Sequence, residues 1–220
     1  MSEVHFGRQP SFRKLEPYRE QIEELLREYG DILIPRLAEY EVELRCFPVE
    51  ILNEIRAIYA HLYRASVSET ETGIGGNIAK AKSHSKRAVL DCYKYLCVAH
   101  DDRYHEFLRK YRYVNWSKSG LADKVVELSN LRCKAVEILR IAKALESTQE
   151  ESAEKNDPTE YTQKYEEAYK TYSRLNQKVH ELENLMNLNS LRIVSHASNW
   201  LVGAVGAGGI VIGMLLGLLI

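Results

Sequence analysis

Apolar residues recur along this chain at intervals of three and four, and no stretch alternates apolar with polar long enough to read as a strand. The spacing therefore predicts helices throughout. Ile22, Leu25, Leu26, Tyr29 and Leu33 trace a first helix over about 16–45, which Gly30 and Pro35 are expected to kink or split. A second helix is expected to start with Pro48 as its first residue and to bury Leu52, Ile55, Tyr59 and Leu62 on one face. The glycines of GIGGN at 73–77 predict a break before a third helix over about 77–112, with an interruption near Asp101 and Asp102. SKSG at 117–120 predicts a turn, and a fourth helix follows over about 121–147. The polar stretch ESTQEESAEKN then reads as loose chain.

The next helix opens with a near-complete start signal: Asp157 as cap, Pro158 at the first position and Glu160 at the third. Tyr161, Tyr165, Ala168, Tyr172, Leu175, Val179, Leu182 and Met186 then repeat at alternating steps of three and four, the spacing of a coiled-coil or bundle seam. Two readings stay open, a helix inside its own bundle or a stalk that assembles copies. Beyond it, Trp200 to Ile220 carries no ionisable side chain. As a helix this segment is about 31 Å long, close to the hydrocarbon thickness of a bilayer. Its leading Trp200 suits the membrane interface. Gly203, Gly206, Gly209, Gly213 and Gly217 fall within an arc of roughly 120°, a groove that lets helix backbones approach closely. The organisation expected is an all-α cytosolic bundle over 1–153, a heptad-patterned helix over 154–198 and a single transmembrane helix over 199–220.

Charge and composition narrow this picture. Thirty Lys and Arg against 31 Asp and Glu give a net charge of −1, which argues against a bulk nucleic-acid binder. Cys46, Cys92, Cys97 and Cys133 form no close pair and have no nearby His partner, so no metal site is expected and they read as reduced core thiols. The N-terminus has no apolar signal core, so the bundle is expected to face the cytosol, with Arg192 the one basic residue close to the membrane segment.

Candidate chemistry concentrates on the third helix. Asn77, Lys80, His84, Arg87, Asp91 and Lys94 share one polar stripe about 100° wide. It reads either as an ordinary solvated face with salt bridges at helical spacing, or as an anion-binding groove in which Asp91 orients Arg87. From Lys80 to Lys118 there are ten basic residues and four acidic ones, interleaved with Tyr104, Tyr111, Tyr113 and Trp116. That combination suits a nucleotide, RNA or lipid headgroups. No Lys-Ser/Thr follows the glycines at 73–76, and no nucleophile-elbow, zincin or cofactor motif is present.

Arg56-AIYA-His61 resembles the R-x4–6-H pattern of HEPN nucleases, and the run from His84 through Arg87 and Asp91 to Lys94 looks like their helical modules. The resemblance implies an all-helical protein of prokaryotic defence in which two protomers pool Arg and His to cut RNA. It also implies kinship with CRISPR-associated accessory proteins that act on the inner membrane. Arg56 and His61 stand about 140° apart on one regular helix, so joint action would need two copies. The leading expectation is non-enzymatic: a membrane-anchored homo-oligomer that couples binding of a nucleotide, RNA or protein partner to assembly or permeabilisation of the membrane. The alternatives are a tail-anchored coiled-coil adaptor similar to SNAREs, and a membrane-tethered HEPN-type RNase.

Overall fold

The computed structural model describes residues 9–151 and 160–187. Every regular element among them is helical. A 3₁₀ segment, Phe12–Tyr18, leads into α1 (Arg19–Arg27), a π-helical stretch (Glu28–Leu33) and α2 (Ile34–Leu44). Then come α3 (Val49–Val67), α4 (Glu71–Lys110), the short α5 (Trp116–Ser119), α6 (Ala122–Glu151) and α7 (residues 160–187). Among the described residues no helix is long and apolar enough to cross a membrane. The segment from Trp200 to Ile220, with Gly203, Gly206, Gly209, Gly213 and Gly217, lies outside them, as do Asp157 and Pro158.

The split expected in the first helix takes the form of the π-helical stretch, which contains Gly30. Pro35 stands in the opening turn of α2, directly after the π-helical stretch. The wider π turn changes which face looks inward. Before it, Leu25 joins a small cluster with Ile58 and Ala81; at its end Leu33, and beyond it Tyr40, enter the main core.

On α3 the expected face is corrected. Pro48 is the cap rather than the first helical residue, and Ile51, Ile58 and Ala65 are buried while Leu52 and Tyr59 are exposed. Ile55 and Leu62 lie between, packed at the core margins. Both candidate faces are apolar in sequence, and the approach of α4 selects between them.

The break expected at GIGGN is absent. A single helix of 40 residues runs from Glu71 to Lys110, through the glycines and through Asp101 and Asp102. Thr70 caps it, its Oγ1 accepting from the Gly73 N–H at 3.1 Å. A Cβ on Gly73 would lie 2.3 Å from Ser68 Oγ, and one on Gly75 would lie 3.1 Å from the Tyr18 hydroxyl. The glycines thus serve close approach: the incoming turn folds over Gly73, and Tyr18 crosses Gly75 while donating to the Glu71 carbonyl at 3.1 Å. The turn expected at SKSG is present, with Gly120 at φ 71°, a conformation that favours glycine.

The main core joins α4 to α6 and α7. Tyr165, Ala168, Tyr172, Leu175, Val179 and Leu182 are buried among Tyr93, Leu96, Cys97, Tyr104 and Phe107 of α4 and Leu128, Ala135 and Ile138 of α6. The heptad seam is therefore occupied by the chain's own bundle, and residues on both sides of position 153 share one core. Cys92 and Cys97 are core thiols as expected, and burial pushes both up to about 12. Cys46 and Cys133 are exposed.

Candidate functional site

The antiparallel pairing of α3 and α4 brings together side chains far apart in sequence. Glu54 lies opposite His84, its Oε2 2.6 Å from the imidazole Nδ1. A carboxylate only accepts, so Nδ1 carries the proton and donates. Two turns along the pair, His61 Nδ1 lies 3.0 Å from Asn77 Oδ1. The Asn77 amide donates through Nδ2 to the Gly73 carbonyl at 2.8 Å, which fixes Oδ1 as the acceptor for His61. The two imidazoles stack, with centroids 5.1 Å apart and planes inclined by 21°. Both rings are thus held by their Nδ1 atoms, leaving each Nε2 as the basic nitrogen. Such a pair can exchange protons with a ligand or bind one by hydrogen bonding. No group of three or more metal-ligating side chains forms among the described residues.

Arg87 completes the cluster from the solvent side. Its Nη2 lies 3.2 Å from His84 Nδ1, but that nitrogen already donates, so the attraction holding the guanidinium is the Glu54 carboxylate, 3.7 Å from Nε. Arg56 is exposed and enters none of these hydrogen bonds. Within the chain His61 meets Asn77 and His84.

The remaining stripe residues disperse. Lys80 is exposed. Lys94 donates to Glu146 Oε1 at 2.5 Å and sits 5.1 Å from the Tyr165 ring, whose hydroxyl donates to Glu146 Oε2 at 2.6 Å. Asp91 makes no ion pair within 4 Å with Arg87 or Lys94, so the orienting role expected of it falls to Glu54. Burial, reinforced by Glu54 and Glu146, pushes the Asp91 carboxyl up against the opposing pull of Lys94 and Arg87.

Beside the cluster, a cleft of about 390 Å³ runs between α4 and the start of α7, lined by Lys82, Ser83, Lys86 and Arg87 with Tyr161 and Thr162. Lys82 also donates to Glu24 Oε2 of α1 at 2.5 Å. Three cations, hydroxyls and an aromatic ring around one concavity form an anion-binding lining. Lys82 and Lys86 lie off the stripe as read from the sequence, and the α7 wall is a tertiary feature that spacing alone does not reveal.

A second polar group escaped the sequence reading. His100, 1% exposed, presents Nε2 to Glu39 Oε1 at 3.3 Å. Tyr169 donates to Glu39 Oε2 at 2.6 Å, and Arg36 bonds both Glu39 and the Tyr169 hydroxyl. Burial alone would push the Glu39 carboxyl up. The hydrogen bonds from His100 and Tyr169 and the charge of Arg36 outweigh it and hold the group below the usual carboxylate range. In sequence, Arg36 and Glu39 look like an exposed i,i+3 pair, and His100 gives no signal on an apolar face.

Comparison with protein-family models, with curated proteins and with solved structures gives no match to this chain.

Proposed function

We propose that the chain is a membrane-anchored helical protein whose bundle binds an anionic ligand, a nucleotide or RNA phosphate, in the cleft between α4 and α7. Copies assemble in the membrane through the Gly203–Gly217 groove. The observation that carries the binding half is the convergence of Lys82, Lys86 and Arg87 on one cleft of about 390 Å³. That volume falls in the range of small-molecule sites. The membrane half rests on the uncharged Trp200–Ile220 segment and its aligned glycines. Heptad pairing with partner helices is not part of this reading, because the seam is buried at home.

The test uses the full chain in mild detergent, titrated with a fluorescent ATP analogue and with a short labelled RNA. Lys86→Ala/Arg87→Ala is expected to weaken binding of one of them by at least about tenfold, the loss of one charge-assisted contact or more. Gly209→Leu/Gly213→Leu is expected to reduce a discrete multimer to monomer. Equal binding by wild type and the cleft variant removes the ligand site, and an unchanged mass reduces the tail to a tether.

The stacked His61 and His84 favour a second reading, an RNase of HEPN type. Under it, His84→Ala abolishes RNA cleavage while leaving RNA binding in place.

A further inference from the structure

At the opposite end of α4 from the cleft, residues 107–122 contain Arg109, Lys110, Arg112 and Lys118 and no carboxylate. Aromatic side chains are mixed among them. Tyr113 is 86% exposed, with the Arg112 guanidinium 4.6 Å from its ring. Trp116 packs on Phe107 and Tyr111, at 5.9 and 6.2 Å between centroids.

The fold brings the outgoing chain to this same tip. Glu183 of α7 is buried and pairs with Arg103 and with Lys110, the latter at 3.1 Å. Two residues later Leu185 lies with Lys124 at the start of α6. Lys110 is thus partly neutralised, while Arg109, Arg112 and Lys118 are exposed. From Asn184 to Ile220 no acidic residue occurs. The basic tip and the last described turn of α7, some seventy residues apart in sequence, lie at one end of the bundle.

Chain length sharpens the point. Thirteen residues, 188–200, separate the last described residue from Leu201. Fully extended they reach at most about 45 Å. Helix α4 is about 60 Å long, so its Glu71 end lies farther away than this tether can span.

We infer that the Arg109–Lys118 tip is a docking surface for an anionic lipid headgroup layer, seated on the bilayer that the apolar segment enters. Lys and Arg meet the negative surface, while exposed Tyr113 and neighbouring Trp116 sit at the interfacial depth that Tyr and Trp favour. Each basic side chain near such a surface strengthens attachment roughly fivefold. The inference rests on the membrane-anchored reading above and adds which face of the bundle touches lipid, and which lipid.

The test places a tryptophan reporter at the tip of the full chain, as Trp200→Phe/Tyr113→Trp, with Trp200→Phe alone as the background. Both are reconstituted in vesicles of brominated phosphatidylcholine, with or without phosphatidylglycerol. The reporter is expected to be quenched when phosphatidylglycerol is present, and to lose that quenching in an Arg109→Glu/Arg112→Glu/Lys118→Glu background that still floats with the vesicles. Flotation without phosphatidylglycerol-dependent quenching, or quenching indifferent to the three reversals, overturns the inference and leaves the anchor standing. Displacement of the tip from lipid by single-stranded RNA at equal charge concentration reassigns the surface to nucleic acid and overturns it as well. A chain that fails to float with either vesicle defeats the anchor reading, and this inference with it.

Discussion

At the scale of single residues, the buried network around Glu39 makes the sharpest demand. Its carboxylate takes hydrogen bonds from His100 and Tyr169 beside Arg36, which holds its folded pKa below the ordinary carboxylate range. The stabilisation from Glu39 is therefore complete above that range and is lost as pH falls through the lowered value. Glu39→Gln is expected to cost about 1.5–3 kcal/mol at neutral pH, the worth of hydrogen bonds to a charged group. It should also flatten the acid limb of stability, and urea melts of both proteins from neutral to acid pH will read both effects. None of this was legible in the sequence, because a pair at i,i+3 looks the same whether it faces water or a buried imidazole. His61 and His84 were each visible as candidates, but the link between them needs the antiparallel pairing of α3 and α4. The resemblance pairs His61 with Arg56 across two copies; within one chain it meets Asn77 and His84.

At the scale of elements, periodicity located most helices and misjudged several of their starts, that of α4 most of all. The turn at Gly120 was readable because turn chemistry is local. The start of α4 was not, since glycine signals flexibility and close approach with the same letter. The two meanings are separable by substitution. Gly76 has open space around it, so Gly76→Ala is expected to stabilise by roughly 1 kcal/mol through helix propensity. A Cβ on Gly73 meets Ser68 Oγ at 2.3 Å and Thr70 Oγ1 at 2.8 Å, displacing the cap. Gly73→Ala is therefore expected to show no gain or a loss, since a lost cap costs about 1 kcal/mol. Thermal melts of the two variants should move in different directions.

At the scale of the whole molecule, α7 is a wall of the bundle rather than a free stalk. Its seam spacing was legible from Tyr161 to Met186, but heptad periodicity does not say whether the partner surface belongs to the same chain. Leu175 is fully buried among α4, α6 and α7 residues. Leu175→Ala is expected to destabilise by about 2–5 kcal/mol without changing the mass of the native assembly. Denaturant melts and light scattering distinguish this from a seam between copies, for which the mass would fall. The π-helical stretch at Glu28–Leu33 carries a different kind of information, one that concerns phase. The wide turn takes up about one residue more than an α-helical turn, so a single residue removed there would restore ordinary pitch and leave α2 facing nearly as before. Arg36 and Glu39 would stay beside His100 and Tyr169, whereas the same deletion within α1 would turn them by about 100° relative to the residues ahead of it. Along most of the N-terminal arm a deletion changes the phase of everything that follows; between 28 and 33 the wide turn absorbs it.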